Sequence, residues 1–147
     1  MAERRARAYL MEAELTLESA EAVFERAKLT GKRLWSKVVK EAYDAMEDCA
    51  AAALALKGVG VPRYHPAKIA SFISQFGLEG SEVAGILTKW LSRRARAHYV
   101  DFNEMGRLRA PFEEFDEADA VEVLRDCRAV IEFVKKLIKK TAKSDET

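Results

Sequence analysis

Apolar residues recur at steps of three and four along most of the chain. From Ala2 to about Lys28 they are Ala6, Leu10, Ala13, Leu17, Ala20, Phe24 and Ala27, which is one face of a helix that Gly31 ends. Lys32 to Lys57 repeats the pattern with Trp35, Val38, Ala42, Ala45, Cys49, Ala52 and Leu56. Its small residues from Ala50 to Ala53 suit close approach of a neighbouring helix. Gly58 and Gly60 close this second segment. A loop containing Tyr64 and His65 leads to Pro66, a good first helical residue. The short third helix, Pro66 to Phe76, turns Ile69, Phe72, Ile73 and Phe76 inward. Gly77 and Gly80 follow, and Ser81 is expected to cap a fourth helix that carries Val83, Ile86, Leu87, Trp90 and Leu91 and runs to about Asn103. After a loop around Pro111, a fifth stripe holds Ala120, Leu124, Cys127, Ile131, Val134 and Ile138.

No stretch of four or more residues alternates polar with apolar, so no strand is expected. The prediction is an all-α, up-and-down bundle of four long helices plus one short helix. It spans residues 1–140 as a single domain, and residues 141–147 form a charged, disordered tail. At 147 residues, one domain with a full core is the ordinary outcome.

Charge adds little globally and much locally. Lys and Arg number 25 against 24 Asp and Glu, so overall charge points to no acidic partner. No apolar run approaches the roughly 20 residues of a membrane span. The charged opening Met-Ala-Glu-Arg-Arg carries no apolar segment behind it, and a cytoplasmic protein without a signal peptide is expected. Cys49 and Cys127 lie on core stripes and read as inert buried thiols. Two cysteines and two histidines, His65 and His98, leave no thiolate or paired-histidine metal site, and no Gly-rich phosphate loop follows a strand. Neither a metal nor another cofactor is expected.

The informative stretch runs from Lys89 to Arg109. Its six basic residues, Lys89, Arg93, Arg94, Arg96, Arg107 and Arg109, face only Asp101 and Glu104. At about 100° per residue, Arg94 falls in the middle of the stripe formed by Val83, Leu87, Trp90 and Leu91. On the same scale His98 lies roughly 40° to one side of its centre and Asp101 roughly 20° to the other. Arg93 sits near the edge and Arg96 on the opposite face. An apolar stripe thus turns polar without leaving its face. Two readings follow: Arg94 and His98 are satisfied by helix carboxylates such as Glu12, Glu14 or Asp44, or they line a cleft. Asp101, one turn beyond His98, could orient the imidazole. A loop His65 reads as a solvated or capping residue as readily as a functional one.

The order of these parts resembles a small stand-alone HEPN-domain protein. The matching features are Tyr9-Leu10…Ala13…Leu17…Ala20, then Ala42-Tyr43-Asp44-Ala45-Met46 on an alanine-rich helix ending at Gly58. His65 before the third helix, Phe76-Gly77 closing it, and the Arg93-Arg94-Ala95-Arg96-Ala97-His98-Tyr99 stretch complete the likeness. It covers about residues 5 to 138. The resemblance implies nucleotide or RNA binding, a homodimer, and in active members a metal-independent endoribonuclease of the toxin type. Such members carry an arginine, four to six residues, then a histidine. Arg93 and His98 fit that spacing, while other small members would select Arg94. The candidate catalytic residues are therefore Arg93, Arg94, His98 and Asp101, with Arg96, Tyr99 and His65 as candidate nucleotide or RNA contacts. The resemblance also implies a frequent partner, a minimal nucleotidyltransferase acting as antitoxin. The alternative it leaves open is a non-catalytic helical module that binds nucleotide or holds that transferase.

Overall fold

Two 29-residue helices, one at each end of the chain, frame the bundle in the computed structural model, which describes residues 1–145. In order the helices are α1 (Ala2–Thr30), α2 (Trp35–Leu56), α3 (His65–Phe76), α4 (Ser81–His98), α5 (Pro111–Glu114) and α6 (Glu117–Asp145). Between α4 and α5 runs a small antiparallel hairpin, β1 (Asp101–Phe102) and β2 (Leu108–Arg109), in which Asp101 pairs with Arg109 and Phe102 with Leu108.

Helix α2 is the centre of the molecule. It packs against α1, α3, α4 and α6. Every residue from Cys49 to Ala55 is buried. An unbroken run of buried alanines keeps the helix thin, so neighbours close in from several sides. The predicted stripe of α6 is wholly buried, from Ala120 to Ile138. Trp90, Tyr43, Phe72 and Phe115 are the largest fully buried side chains. The two cysteines are free and buried, and burial raises the Cys127 thiol to about 12.

The all-α class holds, with several local corrections. Strands do form, because the hairpin is built by turn chemistry rather than by alternation. The Asn103 side chain accepts backbone N–H bonds from Met105 (3.0 Å) and Arg107 (2.9 Å), and Gly106 takes φ 74°. Helix α4 stops at His98 rather than near Asn103, since Tyr99 is extended at φ −125° and ψ 138°. Ser81 is the first residue of α4, not its cap; Gly80 holds the cap position. A Cβ on Gly80 would lie 2.8 Å from Phe76 Cβ and 3.0 Å from the Phe72 ring, so only glycine permits this approach of α4 to α3. Helix α3 begins at His65, and Ile73 is exposed at the edge of its buried stripe. Pro111 opens α5, one turn of helix where a loop was expected. It is clamped by Arg33, whose guanidinium donates to the carbonyls of Phe112 and Phe115 at 2.9 Å each. Residues 141–145 of the expected tail continue α6, and residues 146 and 147 lie outside the described residues.

Candidate functional site

The rotation of α4 is set by three anchors to α6. Trp90 Nε1 donates to Asp126 Oδ2 at 2.8 Å, and Lys89 Nζ lies 2.6 Å from the same carboxylate oxygen. Arg93 Nη2 donates to Asp119 Oδ1 at 2.7 Å, with its guanidinium 4.5 Å above the Trp90 ring and 5.4 Å from that of Phe115. Burial raises the Asp119 carboxyl, but the bond from Arg93 and the turn at Asp116 outweigh it and hold it below its usual range. Arg93 is thus a strut between α4 and α6.

With Arg93 turned to α6, Arg94 and His98 turn toward α2. Both are half-buried. Among the described residues, Arg94 Nε and His98 Nε2 are buried without a hydrogen-bond partner. Opposite them α2 presents a polar stripe: Lys37, Lys40, Asp44 and Glu47, at steps of three, four and three. Burial raises the Asp44 carboxyl and the nearby Arg94 partly offsets this. The carboxylate opposite Arg94 is therefore Asp44, whereas Glu14 lies 3.6 Å from Lys135 on α6.

His98 has the most perturbed imidazole environment. Burial first, then Arg94, Lys40, His65 and Lys37, lowers it to about 4. Desolvation and surrounding positive charge both disfavour the imidazolium, so the ring is neutral near pH 7. His65 approaches from α3. Its Nδ1 lies 2.5 Å from Glu47 Oε2, while Lys68 Nζ donates to Glu47 Oε1 at 2.9 Å. Glu47 is buried; burial pushes its carboxyl up, but Tyr43, Lys68 and His65 outweigh that and keep it below the usual range.

The remaining candidates lie outside this cluster. Asp101 is exposed on β1 and accepts the N–H of Phe102 at 2.8 Å. Its expected role toward His98 required a helix continuing past His98, and α4 ends there. Arg96 faces α5, 4.0 Å from Glu114. Tyr99 is exposed, its ring 5.9 Å from that of His98. Lys37, Lys40, Glu47 and Lys68 were not singled out from the sequence. For the first three the signal was the polar stripe of α2 on an otherwise apolar helix, whose significance depends on what packs opposite; Lys68 lies on α3. Among the described residues no three His, Cys, Asp or Glu side chains group to hold a metal ion, and no helix is long and apolar enough to cross a membrane.

A model of the HEPN domain matches residues 6–137, nearly the whole chain. The chain belongs to the HEPN domain family. No curated protein and no solved structure matches it. The HEPN match spans α1 through most of α6, so the Arg94–His98 cluster lies inside the family domain. The arginine-to-histidine spacing expected from the resemblance is met in sequence by Arg93 and His98, yet these two side chains diverge, one toward α6 and one toward α2.

Proposed function

We propose that this HEPN protein binds RNA on the cationic face between α2 and α4 and cleaves it without a metal ion. One observation carries the reading: Arg94 Nε and His98 Nε2, one turn apart on α4, make no hydrogen bond within the fold, and burial with the charges of Arg94, Lys40, His65 and Lys37 keeps the imidazole neutral near pH 7. A neutral imidazole can take the proton of a ribose 2′-hydroxyl. A guanidinium can hold the phosphodiester and stabilise the charge gathering on it. An arriving phosphate also neutralises the charges that depress His98, which strengthens it as a base when substrate is bound. In this reading Arg94 holds phosphate, His98 is the base, and Arg93 positions α4. Exposed Tyr99 offers a stacking surface beside the imidazole.

A homodimer accompanies this reading. Val100, Phe102, Met105, Leu108 and Phe112 follow directly on the site and all are exposed, the kind of apolar surface that association covers. In this reading the protein works in the cytoplasm, where two free, buried thiols remain reduced.

A second reading is favoured by the commitment of Arg93 to Asp119: a non-catalytic module that binds RNA or nucleotide phosphates and pairs with a minimal nucleotidyltransferase. The test is cleavage of mixed-sequence RNA in excess chelator. Loss of a positioned proton acceptor costs about 10²–10⁴-fold, so His98→Ala should fall by that factor. Undiminished cleavage by His98→Ala would refute the catalytic reading. Binding without any turnover by the unaltered protein, weakened in Arg94→Ala, would select the module.

A further inference from the structure

We propose that the groove between the start of α1 and the end of α6 holds the phosphate backbone of a long RNA chain, as an anchor remote from the Arg94–His98 site. The proposal rests on the RNA binding of the reading above and not on cleavage.

The two longest helices carry basic residues at the ends that meet. Among the first eleven residues Arg4, Arg5 and Arg7 face only Glu3, and from Phe133 to Ser144 there are five lysines and no acidic residue. Two ion pairs fix how these helices pack. Glu21 pairs with Arg128 at 3.4 Å, and one heptad nearer the start of α1 Glu14 lies 3.6 Å from Lys135. The helices are therefore antiparallel, and at each of these steps an acid of α1 meets a base of α6. One further heptad breaks the rule. It brings Arg7 opposite Ala142, between Lys139 and Lys143, so cations face each other where the pattern would place a carboxylate. Arg7 and Lys139 do line one groove, of about 620 Å³, together with Lys136. Its apolar residues, Leu10 and Ile138, are buried at its floor.

These charges are only partly compensated. Arg7 pairs with Glu3 on its own helix at 2.9 Å, and Lys135 is shared between Glu14 and Glu132. Arg4, Lys136, Lys139 and Lys143 are exposed and make no ion pair among the described residues. Like charges brought together by packing repel, and an anion entering the groove relieves that repulsion. A protein partner would need apolar anchors, and a lipid surface would need an apolar face to bury. The walls of this groove offer neither. They offer cations about one helical turn apart, which suit a chain of phosphates.

The groove is far from the α4 site. Arg93, next to Arg94 in the chain, is bonded to Asp119 near the start of α6, whereas Lys139 is near its other end. At about 1.5 Å per residue those two positions of α6 are about 30 Å apart. At about 3.4 Å per stacked nucleotide, an RNA of roughly ten nucleotides or more is needed to occupy both places. The substrate class is thus an extended RNA chain rather than a nucleotide or dinucleotide.

Binding is read by anisotropy of a labelled 2′-O-methyl RNA of about 30 nucleotides, in excess chelator, from roughly 0.05 to 0.3 M salt. The methyl groups remove the proton that cleavage would need. Two triple variants remove the same charge. One is Lys136→Gln/Lys139→Gln/Lys143→Gln in the groove; the other is Arg26→Gln/Lys28→Gln/Lys32→Gln, all exposed, around the opposite end of α1. Glutamine favours helix nearly as well as lysine or arginine, and melting curves check both folds. The groove triple should bind at least about 10-fold more weakly at about 0.1 M salt. Its slope of log affinity against log salt should be shallower by about 2, from three phosphate contacts at about 0.7 each. The other triple should stay within about two-fold, since exposed charges beyond a Debye length are screened. That pattern supports the anchor whether or not the unaltered protein cleaves RNA. Equal weakening in both triples would reduce the effect to net charge and overturn the anchor. Unchanged binding in the groove triple would also overturn it, and if Arg94→Ala then loses the RNA, the α4 site stands without an anchor. Capture of poly-L-glutamate by the unaltered protein but not by the groove triple, with RNA binding untouched, would give the groove to an acidic protein instead. No RNA binding by the unaltered protein would remove both the RNA reading and this proposal.

Discussion

Two side chains near the cluster carry opposite pH signatures. His98 is held at about 4, below its ordinary 6.5. The fold favours its neutral form, so this contribution is complete above pH 6.5 and is lost as pH falls toward 4. His98→Gln should therefore narrow the acid-side loss of stability over that window, measured by thermal melts from pH 7 to 4. Asp48, on α2 beside the stripe, behaves in reverse. Burial, reinforced by Glu12, Asp44 and Glu47 and only partly offset by Lys68, raises it to about 6 from 3.8. Its contribution is present below 3.8 and is lost as pH rises through 6. Asp48→Asn should raise the melting temperature at pH 7.5 and make little difference at pH 4. Solvent screening at this half-buried position keeps the gain to about 1 kcal/mol, or about 3 °C for a chain of this size. An equal effect at both pH values would contradict the assigned cause. At this scale the site was only half legible in the sequence. The 100° spacing placed Arg94 and His98 on one face and Arg93 at its edge. Asp44 was among the carboxylates the sequence offered to Arg94, whereas Lys37, Lys40 and Glu47 could not be read because they become neighbours of the site only through packing.

Among the elements, α4 matters most, since its rotation decides which arginine accompanies His98. Trp90→Phe would keep an aromatic ring, though a smaller one, and leave the buried Asp126 without its indole donor. A cost of about 1–3 kcal/mol is expected, measured by urea denaturation. A change within 0.5 kcal/mol would show that the anchor is unimportant. Gly80→Ala forces a Cβ against Phe76 and Phe72 and should destabilise by about 1–3 kcal/mol, as overpacked cores do. Neutrality there would mean that α3 and α4 can separate. The long helices were legible because each buries one stripe at helical spacing, as α6 does from Ala120 to Ile138. The hairpin was not, because strands of two residues are too short to alternate. Its real signals were Asn103 and Gly106, which shape the turn. Where α4 stops was equally hidden: Ala97 is buried and His98 half-buried, so periodicity alone allowed another turn, while the extended backbone at Tyr99 feeds the hairpin.

At the level of the whole molecule, the bundle sorts its charges. Arg128, Lys135 and Lys140 all lie within 3.8 Å of carboxylates on neighbouring segments, whereas Arg94, His98 and Arg109 each keep a buried nitrogen without a hydrogen bond. An unpartnered buried donor is costly in a fold with no use for it. The exposed apolar hairpin beside this site should make sedimentation report a dimer at tens of micromolar, and Phe102→Ser should shift it toward monomer. A monomer throughout would remove the homodimer. The central claim is that Arg94, and not Arg93, works with His98. It is tested most directly by single-turnover RNA cleavage in excess chelator by Arg94→Ala and Arg93→Ala, each with its melting curve. The expected result is a loss of about 100-fold or more in Arg94→Ala with its fold intact, the scale of removing one transition-state donor. Arg93→Ala should melt earlier yet cleave within a few-fold of the unaltered protein below its transition. Full activity in Arg94→Ala together with an inactive but folded Arg93→Ala would contradict it.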